Sequence, residues 1–296
     1  MKMWILLASL IVRGAGAAEA EGTGPVLAVP EPMGRFDPGA LPEASGIVKS
    51  RRHPGIFWVH NDSGNAPLLF AVRGDGRIVR RFRLAIPNLD WEDIAIDDHG
   101  HLYLGDIGNN SGLLRVRTIY RFDEPDPSSP EGGDREAPLA ATRTVNYTLP
   151  PSNRFDAEGL AYERGSAIVV TKYRDGREAE LFAVAIDPAP AGASPPRPIG
   201  RLPGFTEPAT GAGLSEDGTL LVVCSYAVTR VYRRDRSRAW VRIAEVRYLP
   251  LPIEGVTWDG RDLILVAEEA RGLYRLREAA WRAAASSENR SRSKAE

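Results

Sequence analysis

The sequence is poor in the residue types that build disulfides and metal–sulfur sites. Its 296 residues include one cysteine, Cys224, and four histidines. A disulfide within the chain and a cysteine-based metal cluster are therefore excluded. Because Cys224 follows the apolar pair Val222 and Val223, we expect it to be a small buried residue of a core strand.

The sequence also lacks an excess of charge of either sign. It contains 38 lysine and arginine residues against 39 aspartate and glutamate residues, so its net charge is −1. Because nucleic-acid binding depends on many basic contacts to phosphates, a nucleic-acid partner is not expected. Lysine is scarce, and this strong preference for arginine is typical of a bacterial protein. The lysines are Lys2, Lys49, Lys172 and Lys294.

Long hydrophobic runs are absent as well. The apolar segment Trp4–Val12 is too short to cross a membrane as a helix, which takes about 20 residues. Lys2 precedes this segment, and the small residues of Ala15–Ala17 and Ala18–Ala20 follow it, which is the pattern of a secretory signal peptide. We therefore predict that residues 1–20 are a signal peptide and that the protein is exported to the periplasm or out of the cell.

Five short segments of similar sequence recur along the chain, and each begins a repeat unit. Each segment is followed by a more apolar stretch and then by a stretch with an aromatic residue; the first four units add a fourth stretch. Four short strands per unit, separated by turn residues, are typical of a propeller blade. The segments are Glu43–Ile47, Asp90–Ile94, Asp156–Leu160, Thr210–Leu214 and Ile253–Val256.

These units predict an all-β fold, a five-bladed β-propeller over residues 21–282, followed by a disordered tail at 283–296. The fifth unit has no fourth strand of its own, so we expect Gly24–Val29 to complete it and to close the ring. A six-bladed ring is an alternative, because the second unit is longer and includes the loop Asp123–Pro138. A β-sandwich does not explain the five-fold recurrence.

Polar residues occupy the start of the first strand in most units. In an antiparallel pair, the start of one strand lies beside the end of the next, so both positions face one mouth of the propeller. Carboxylates gathered near one axis repel one another unless protons or a cation neutralise them, and calcium prefers such oxygen ligands. The alternative is that these side chains only bond backbone amides and neighbouring blades. The predicted metal ligands are Ser45, Glu92, Glu158, Thr210 and Glu254.

A second ring of polar residues is predicted at the ends of the second strands. Three pairs across the hairpins have the same spacing of 14 residues: Glu92 with Asp106, Glu158 with Lys172, and Glu254 with Glu268. The predicted catalytic residues are Asp62, Asp106 and Glu268 as candidate bases and Lys172 as an anion contact. The predicted substrate-binding residues are His60, Asn61, Asn109 and Tyr226.

Structural roles compete with each of these functional ones. Asn61 and Asn109 stand in runs of turn-forming residues, so tight turns are an alternative explanation for them. Lys172 can form an ion pair with Glu158 or Asp156 instead of binding a ligand. A single histidine at a strand end, such as His60, is often a hydrogen-bonded structural residue.

The pattern of the first strands resembles the calcium-activated nucleotidase (apyrase) family, which is a five-bladed propeller with one calcium ion on its axis. Ser45, Glu92, Glu158 and Glu254 stand where that family has serine or glutamate. The resemblance implies a central calcium ion, but the nucleotide-binding residues of the family are not recognised here. The chain is also similar to uncharacterised bacterial secreted propellers and, more distantly, to calcium-dependent propeller phytases.

Two functions follow from these features. The first is an exported, monomeric propeller that uses calcium at its mouth to bind a small anionic ligand or a protein partner. The alternative is a calcium-dependent hydrolase of small anionic esters, with phosphoesters as the main class. Lyase or lactonase chemistry at a central metal is a third possibility.

Overall fold

The computed structural model of the protein describes five stretches of the chain. The predicted signal peptide, 1–20, lies outside the described residues, as does 284–296 of the predicted tail. In the described part, no helix has the length and apolar composition needed to cross a lipid bilayer. The described stretches are 26–128, 138–149, 155–248, 251–268 and 271–283.

The strands form five sheets, arranged as the blades of a five-bladed β-propeller, which confirms the predicted fold. Two strands precede the first blade: β1 (Val26–Leu27) and β2 (Glu31–Arg35). The first blade has β3 (Ala44–Lys49), β4 (Ile56–Asn61), β5 (Leu68–Arg73) and β6 (Ile78–Arg83). The second blade has β7 (Trp91–Ile96), β8 (His101–Asp106), β9 (Val116–Asp123) and β10 (Arg143–Thr148).

The remaining three blades follow in chain order. The third blade has β11 (Asp156–Glu163), β12 (Ser166–Lys172), β13 (Glu180–Ala185) and β14 (Arg197–Arg201). The fourth blade has β15 (Gly211–Leu214), β16 (Leu220–Ser225), β17 (Val228–Arg234) and β18 (Trp240–Arg247). The fifth blade has β19 (Ile253–Asp259), β20 (Asp262–Ala267) and β21 (Gly272–Leu276). A short helical segment, 278–283, ends the described chain.

An N-terminal strand closes the ring, as predicted, but it is a different segment from the predicted Gly24–Val29. Strand β2 pairs antiparallel with β21 and becomes the outer strand of the fifth blade. Strand β1, which lies within the predicted segment, instead pairs in parallel with β18 at the outer edge of the fourth blade. The sequence pattern did not predict β2, because Pro32 and Gly34 are both unfavourable inside a strand. An outer strand with a register shift at that point tolerates them.

The buried side chains support the predicted packing. Cys224 is a fully buried residue of β16, as its apolar neighbours indicated. Trp58 of the first blade and Trp91 of the second blade lie in one apolar cluster between those blades. The long second unit forms a single sheet of four strands, so the described residues contain no sixth blade.

The innermost strands of neighbouring blades approach so closely that glycine is required between them. A methyl group added to Gly255 would lie 2.4 Å from the carbonyl oxygen of Ser45 in the first blade. One added to Gly46 would lie 2.8 Å from the Cα atom of Asp93 in the second blade. Contacts this short with backbone atoms leave no room for a side chain, so the ring is closed tightly around its axis.

Asp93 is the exception in this row of glycines, and its carboxylate connects three blades. Its Oδ2 accepts hydrogen bonds from the amide of Leu160 at 2.9 Å and the amide of Ala212 at 3.0 Å. Its Oδ1 accepts one from the amide of Ile94 at 2.8 Å. The side chain is fully buried, and this burial raises the pKa of Asp93 although the three amides oppose the shift. Asp93 therefore joins the innermost strands of the second, third and fourth blades.

Replacing Asp93 by alanine should destabilise the fold strongly. Three buried amides would lose their acceptor, and each unsatisfied group costs about 1–3 kcal/mol, so we expect a loss of at least about 3 kcal/mol in the free energy of unfolding. Denaturant unfolding of Asp93→Ala measures this loss. The control is Asp98→Ala, an exposed position at which a change within about 0.5 kcal/mol is expected. A loss in Asp93→Ala below about 1 kcal/mol would contradict the role given to Asp93.

Candidate functional site

Four of the five innermost strands contain a β-bulge at the same place, near their first residues. The register shifts lie within 44–47 of β3, 91–93 of β7, 157–159 of β11 and 253–255 of β19. A bulge bends its strand and re-aims the side chain of the extra residue. Strand β15 has no register shift and contains no carboxylate. The residues within the bulges include Ser45, Glu92, Glu158 and Glu254.

The bulges bring carboxylates from three blades, the second, third and fifth, to one mouth of the propeller. Glu92 and Glu254 each interact electrostatically with Glu158, so the three glutamates predicted from sequence do face a common centre. Further acidic residues at the same strand ends join them. We call the following eight residues the carboxylate cluster: Asp62, Asp90, Glu92, Asp106, Asp156, Glu158, Glu254 and Glu268.

Glu92 is the centre of this cluster. It belongs to two groups of three carboxylates whose oxygens lie within 4.8 Å of one another: one with Asp62 and Asp90, the other with Asp156 and Glu158. Glu92 is only 3% exposed, and its Oε1 has no hydrogen-bond partner among the described residues. An unpartnered buried carboxylate oxygen is costly unless something binds it. Glu92 Oε1 is therefore a position at which a bound proton or ligand would lower the cost of burial.

The two groups differ in how their charge is compensated. Lys172 donates to Oε2 of Glu158, and Nη1 of Arg174 lies 2.9 Å from Oδ2 of Asp156. No such ion pair joins Asp62 or Asp90 to a basic residue in the described part of the chain. The second group thus has two paired basic side chains, whereas the first group has none in the described structure, and the charges of Arg117 and Lys172 act on Asp90 only from beyond ion-pair distance.

Burial and mutual repulsion shift the proton affinities of the cluster. Burial raises the pKa of Glu254 to about 8, and the neighbouring charge of Glu158 adds to this effect. Burial raises the pKa of Glu158 to about 7, although Lys172 opposes the shift. The pKa of Asp62 is raised to about 6, mainly by burial, and that of Glu92 lies well above its ordinary value for the same reason. A bound cation would relieve this repulsion.

Ser45 and Thr210, the two hydroxyl residues among the predicted metal ligands, connect neighbouring blades. The Ser45 hydroxyl donates to the carbonyl of Glu92 at 2.7 Å, and the Thr210 hydroxyl donates to the carbonyl of Ile253 at 2.7 Å. Both hydroxyls therefore bond to the backbone of a neighbouring blade, which is the structural alternative to metal binding. Metal coordination by these two residues stays a prediction.

The predicted catalytic residues all lie at the mouth. Asp106 accepts the amide of Asp90 at 2.7 Å through Oδ1, while its Oδ2 is buried without a described partner. Burial raises the pKa of Asp106 to about 6. The ammonium of Lys172 contacts Glu158 and the hydroxyl of Tyr226, the latter at 3.0 Å, so the ion-pair alternative is the one found. This pair raises the pKa of Lys172 despite its burial, so Lys172 carries a positive charge.

The side chains of His60 and Asn61 are buried and make contacts within the fold, so their positions do not support ligand binding. His60 is fully buried against the ring of Trp91, and burial lowers its pKa to about 4. The Asn61 side chain accepts the amide of Glu43 at 3.2 Å and donates to the carbonyl of Ala40 at 3.1 Å. His60 is therefore a buried structural residue, as its alternative predicted, with Nδ1 3.0 Å from the carbonyl oxygen of Asn61. Asn61 is structural too, but it ends strand β4 instead of forming the predicted tight turn.

Asn109 and Tyr226 lie at the mouth as predicted. The Asn109 amide donates to Oδ1 of Asp156 at 2.7 Å, while its side-chain Nδ2 is buried without a partner in the described structure. Tyr226 is 40% exposed beside Lys172. Both residues can therefore contact a ligand at the carboxylate cluster.

Sequence reasoning missed three members of this site. Asp90 and Asp156 each stand two residues before a bulge glutamate, and this Asp-x-Glu pattern, which occurs in two blades, was the available signal. Arg174 stands two residues after Lys172, and no repeated pattern marks it. The group of Asp62, Asp90 and Glu92 depends on one of these missed residues, Asp90.

A second concave surface lies at the opposite end of the innermost strands. It encloses a cavity of about 470 Å³ whose lining includes Lys49, Arg51 and Glu216. Two of its basic residues are paired: Lys49 with Asp259 at 2.6 Å, and Arg51 with Glu216 at 2.8 Å. The mouth with the carboxylate cluster is therefore the stronger candidate for a functional site.

No protein-family model and no curated protein matches the sequence. The chain is similar to a structure in a nidogen/laminin complex, at 11% identity and a TM-score of 0.45, over 80% of this chain and 76% of that one. It is also similar to a luciferin-regenerating enzyme, at 15% identity and a TM-score of 0.44, over 78% of this chain and 76% of that one. At these values neither likeness carries information about ligand or activity. The fold and the site thus define the protein as a five-bladed β-propeller with a carboxylate-lined mouth.

Without divalent cations, the fold should lose stability as the pH rises from 6.5 to 8. The folded protein holds protons on Glu158 and Glu254 that the unfolded chain, with a glutamate pKa of 4.5, has already released. The stabilisation from these protons is full below pH 4.5 and is lost as the pH passes the folded pKa values of about 7 and about 8. Denaturant unfolding in chelator at several pH values measures the slope.

The matched variant for this measurement is Glu254→Gln, which removes one of the two groups without changing its shape. Its stability should fall less over the same pH interval than that of the unsubstituted protein. Equal slopes in the two proteins would show that Glu254 does not hold a proton in the folded state.

Proposed function

We propose that this protein is an exported propeller that binds a divalent cation, most simply calcium, at its mouth and uses it to bind a ligand. The single observation that carries this proposal is the group of Asp62, Asp90 and Glu92. Three carboxylates converge there, Glu92 Oε1 is buried without a described partner, and no described basic residue pairs with the group. A hard cation supplies the missing positive charge and the missing partner at once.

Calcium fits the donor set better than the other common metals. The carboxylate cluster offers only oxygen ligands, which calcium accepts in variable number and geometry. Zinc prefers nitrogen and sulfur ligands, and the cluster contains neither histidine nor cysteine. The cation position lies on the side of the first and second blades, because Glu92 groups with Asp62 and Asp90 there, while Lys172 and Arg174 already compensate the third blade.

A hydrolase is the second candidate function, and Asp106 is the observation that favours it. Oδ2 of Asp106 has no described partner, and the pKa of Asp106 is raised to about 6. Oδ1 of Asp106 accepts the backbone amide of Asp90, which belongs to the proposed cation group. A carboxylate with these properties can accept a proton from water. A divalent cation bound beside it supplies Lewis acidity toward an ester oxygen.

Export is part of the proposal and rests on the composition of the N-terminal segment. The charge at Lys2, the apolar run Trp4–Val12 and the small residues after it support a secretory signal. An extracytoplasmic location also suits a site of moderate calcium affinity. Mass spectrometry of the protein isolated from the producing cells would give the mature N-terminus, which we expect near residue 21.

Calcium should bind the protein and stabilise it, and substitutions of Asp90 or Glu92 should weaken both effects. A ligand at 100 times its dissociation constant adds about 2.7 kcal/mol to the free energy of unfolding. Calorimetric titration and thermal unfolding with and without calcium measure affinity and stabilisation. We expect Asp90→Asn and Glu92→Gln to lower the affinity at least about tenfold, because each removes one charge from the cation position.

The control for this titration is Asp98→Asn, which removes one exposed carboxylate at the opposite cavity. It should bind calcium like the unsubstituted protein. If calcium leaves the melting temperature and the titration heat of the unsubstituted protein unchanged, the proposed cation site is wrong. If Asp98→Asn weakens binding as much as Glu92→Gln does, binding reflects general acidity instead of this site.

A further inference from the structure

Exposed apolar side chains concentrate around the mouth. Eight large hydrophobic residues are exposed in the described structure, and five of them belong to segments that border the carboxylate cluster. Proteins rarely expose several large apolar side chains close together unless these side chains form a contact surface. The five are Leu89 at 64% exposure, Leu113 at 74%, Leu114 at 37%, Val116 at 50% and Tyr226 at 40%.

Four of these residues belong to the second blade and the segments beside it. Leu89 directly precedes Asp90 of the proposed cation group, Leu113 and Leu114 stand in the segment that connects β8 to β9, and Val116 is the first residue of β9. This segment is held by the buried Arg117, which donates to the carbonyls of Leu114 and Ile107, each at 2.8 Å. The side chain of Asn109 accepts the amide of Leu114 at 2.9 Å. The apolar residues are therefore presented by an ordered loop.

Tyr226 presents a second apolar surface from the fourth blade. Its hydroxyl accepts a hydrogen bond from Lys172, which in turn donates to Glu158. Arg174 continues this polar chain from Asp156 to the side chain of Asn110, at 2.9 Å and 2.8 Å, and so reaches the loop of the second blade. The polar part of the mouth thus lies between the apolar loop of the second blade and Tyr226.

The charge of the mouth limits which ligands can enter it. The eight carboxylates exceed the three basic side chains that act on them, Arg117, Lys172 and Arg174, by five. Even with two of the eight carboxylates protonated, one divalent cation leaves an excess of one negative charge. All three basic residues also already hold protein groups. A ligand with several negative charges is therefore repelled.

We propose that the mouth takes a small amphiphilic molecule, with an uncharged or singly charged carboxylic ester or acid group toward the cation and an apolar group on Leu89, Leu113 and Tyr226. This inference rests on the proposed function, because the cation anchors the polar group. It departs from the phosphoesters that the alternative hydrolase function predicts from sequence. Apolar walls with a few convergent polar groups are the usual construction of a small-molecule site.

Four probes test this proposal on the calcium-loaded protein by calorimetry. Methyl 4-phenylbutanoate, 4-phenylbutanoate and phenyl phosphate share an aromatic ring and carry about zero, one and two negative charges at pH 8, while acetate lacks the ring. We expect methyl 4-phenylbutanoate and 4-phenylbutanoate to bind. Acetate should bind at least about tenfold more weakly than 4-phenylbutanoate, and phenyl phosphate should bind more weakly than acetate. Phenyl phosphate as the tightest ligand would overturn the proposal, as would equal affinities of acetate and 4-phenylbutanoate.

The variant Leu89→Ser/Leu113→Ser tests the apolar walls. It should lower the affinity for 4-phenylbutanoate about tenfold, while Val79→Ser, an exposed change on an outer strand, should not. Calcium titration of the same proteins separates the two proposals. If calcium binds but none of the probes does, or if the double variant binds 4-phenylbutanoate like Val79→Ser, this inference is wrong and the cation site stands. If calcium itself does not bind, the proposed function has failed first.

Discussion

The close contact of the five innermost strands is the constraint on which the rest of the structure depends. Glycines at Gly46 and Gly255 allow backbone-to-backbone approach, and Asp93 receives amide hydrogens from its own and two further blades in their midst. A buried carboxylate with three donors is favourable only while all three strands keep their positions. The ring therefore has one tightly specified centre, and every blade is oriented relative to it.

This centre also determines where the acidic side chains go. The bulges at Glu92, Glu158 and Glu254 lie directly beside the glycine or Asp93 position of each strand, at the edge of the tight contact. The strands cannot separate to relieve the repulsion of these carboxylates, because Asp93 and the glycine contacts hold them. Lys172 and Arg174 relieve the repulsion on one side, and the cation that we propose would relieve it on the other.

The sequence could predict the fold because each blade repeats the same order of apolar and turn residues. It could predict Glu92, Glu158 and Glu254 because they recur at one position of that repeat. It could not predict the strand of Pro32 and Gly34, whose local preferences oppose the pairing that tertiary contact imposes. Nor could it separate hydroxyls that bridge blades, such as that of Ser45, from hydroxyls that face the mouth, because both occupy the same strand position.

The carboxylate cluster lowers the stability of the folded state. This argues that the cluster has a function beyond holding the fold together. The pKa of Glu254 and that of Glu158 are raised, so the fold works against the charged form of both residues near neutral pH. The opposite end of the same strands shows that this is not forced by the propeller, since Lys49 and Arg51 there are matched by Asp259 and Glu216. Perturbed carboxylates gathered at one mouth of the ring support the proposal that this mouth binds an external partner.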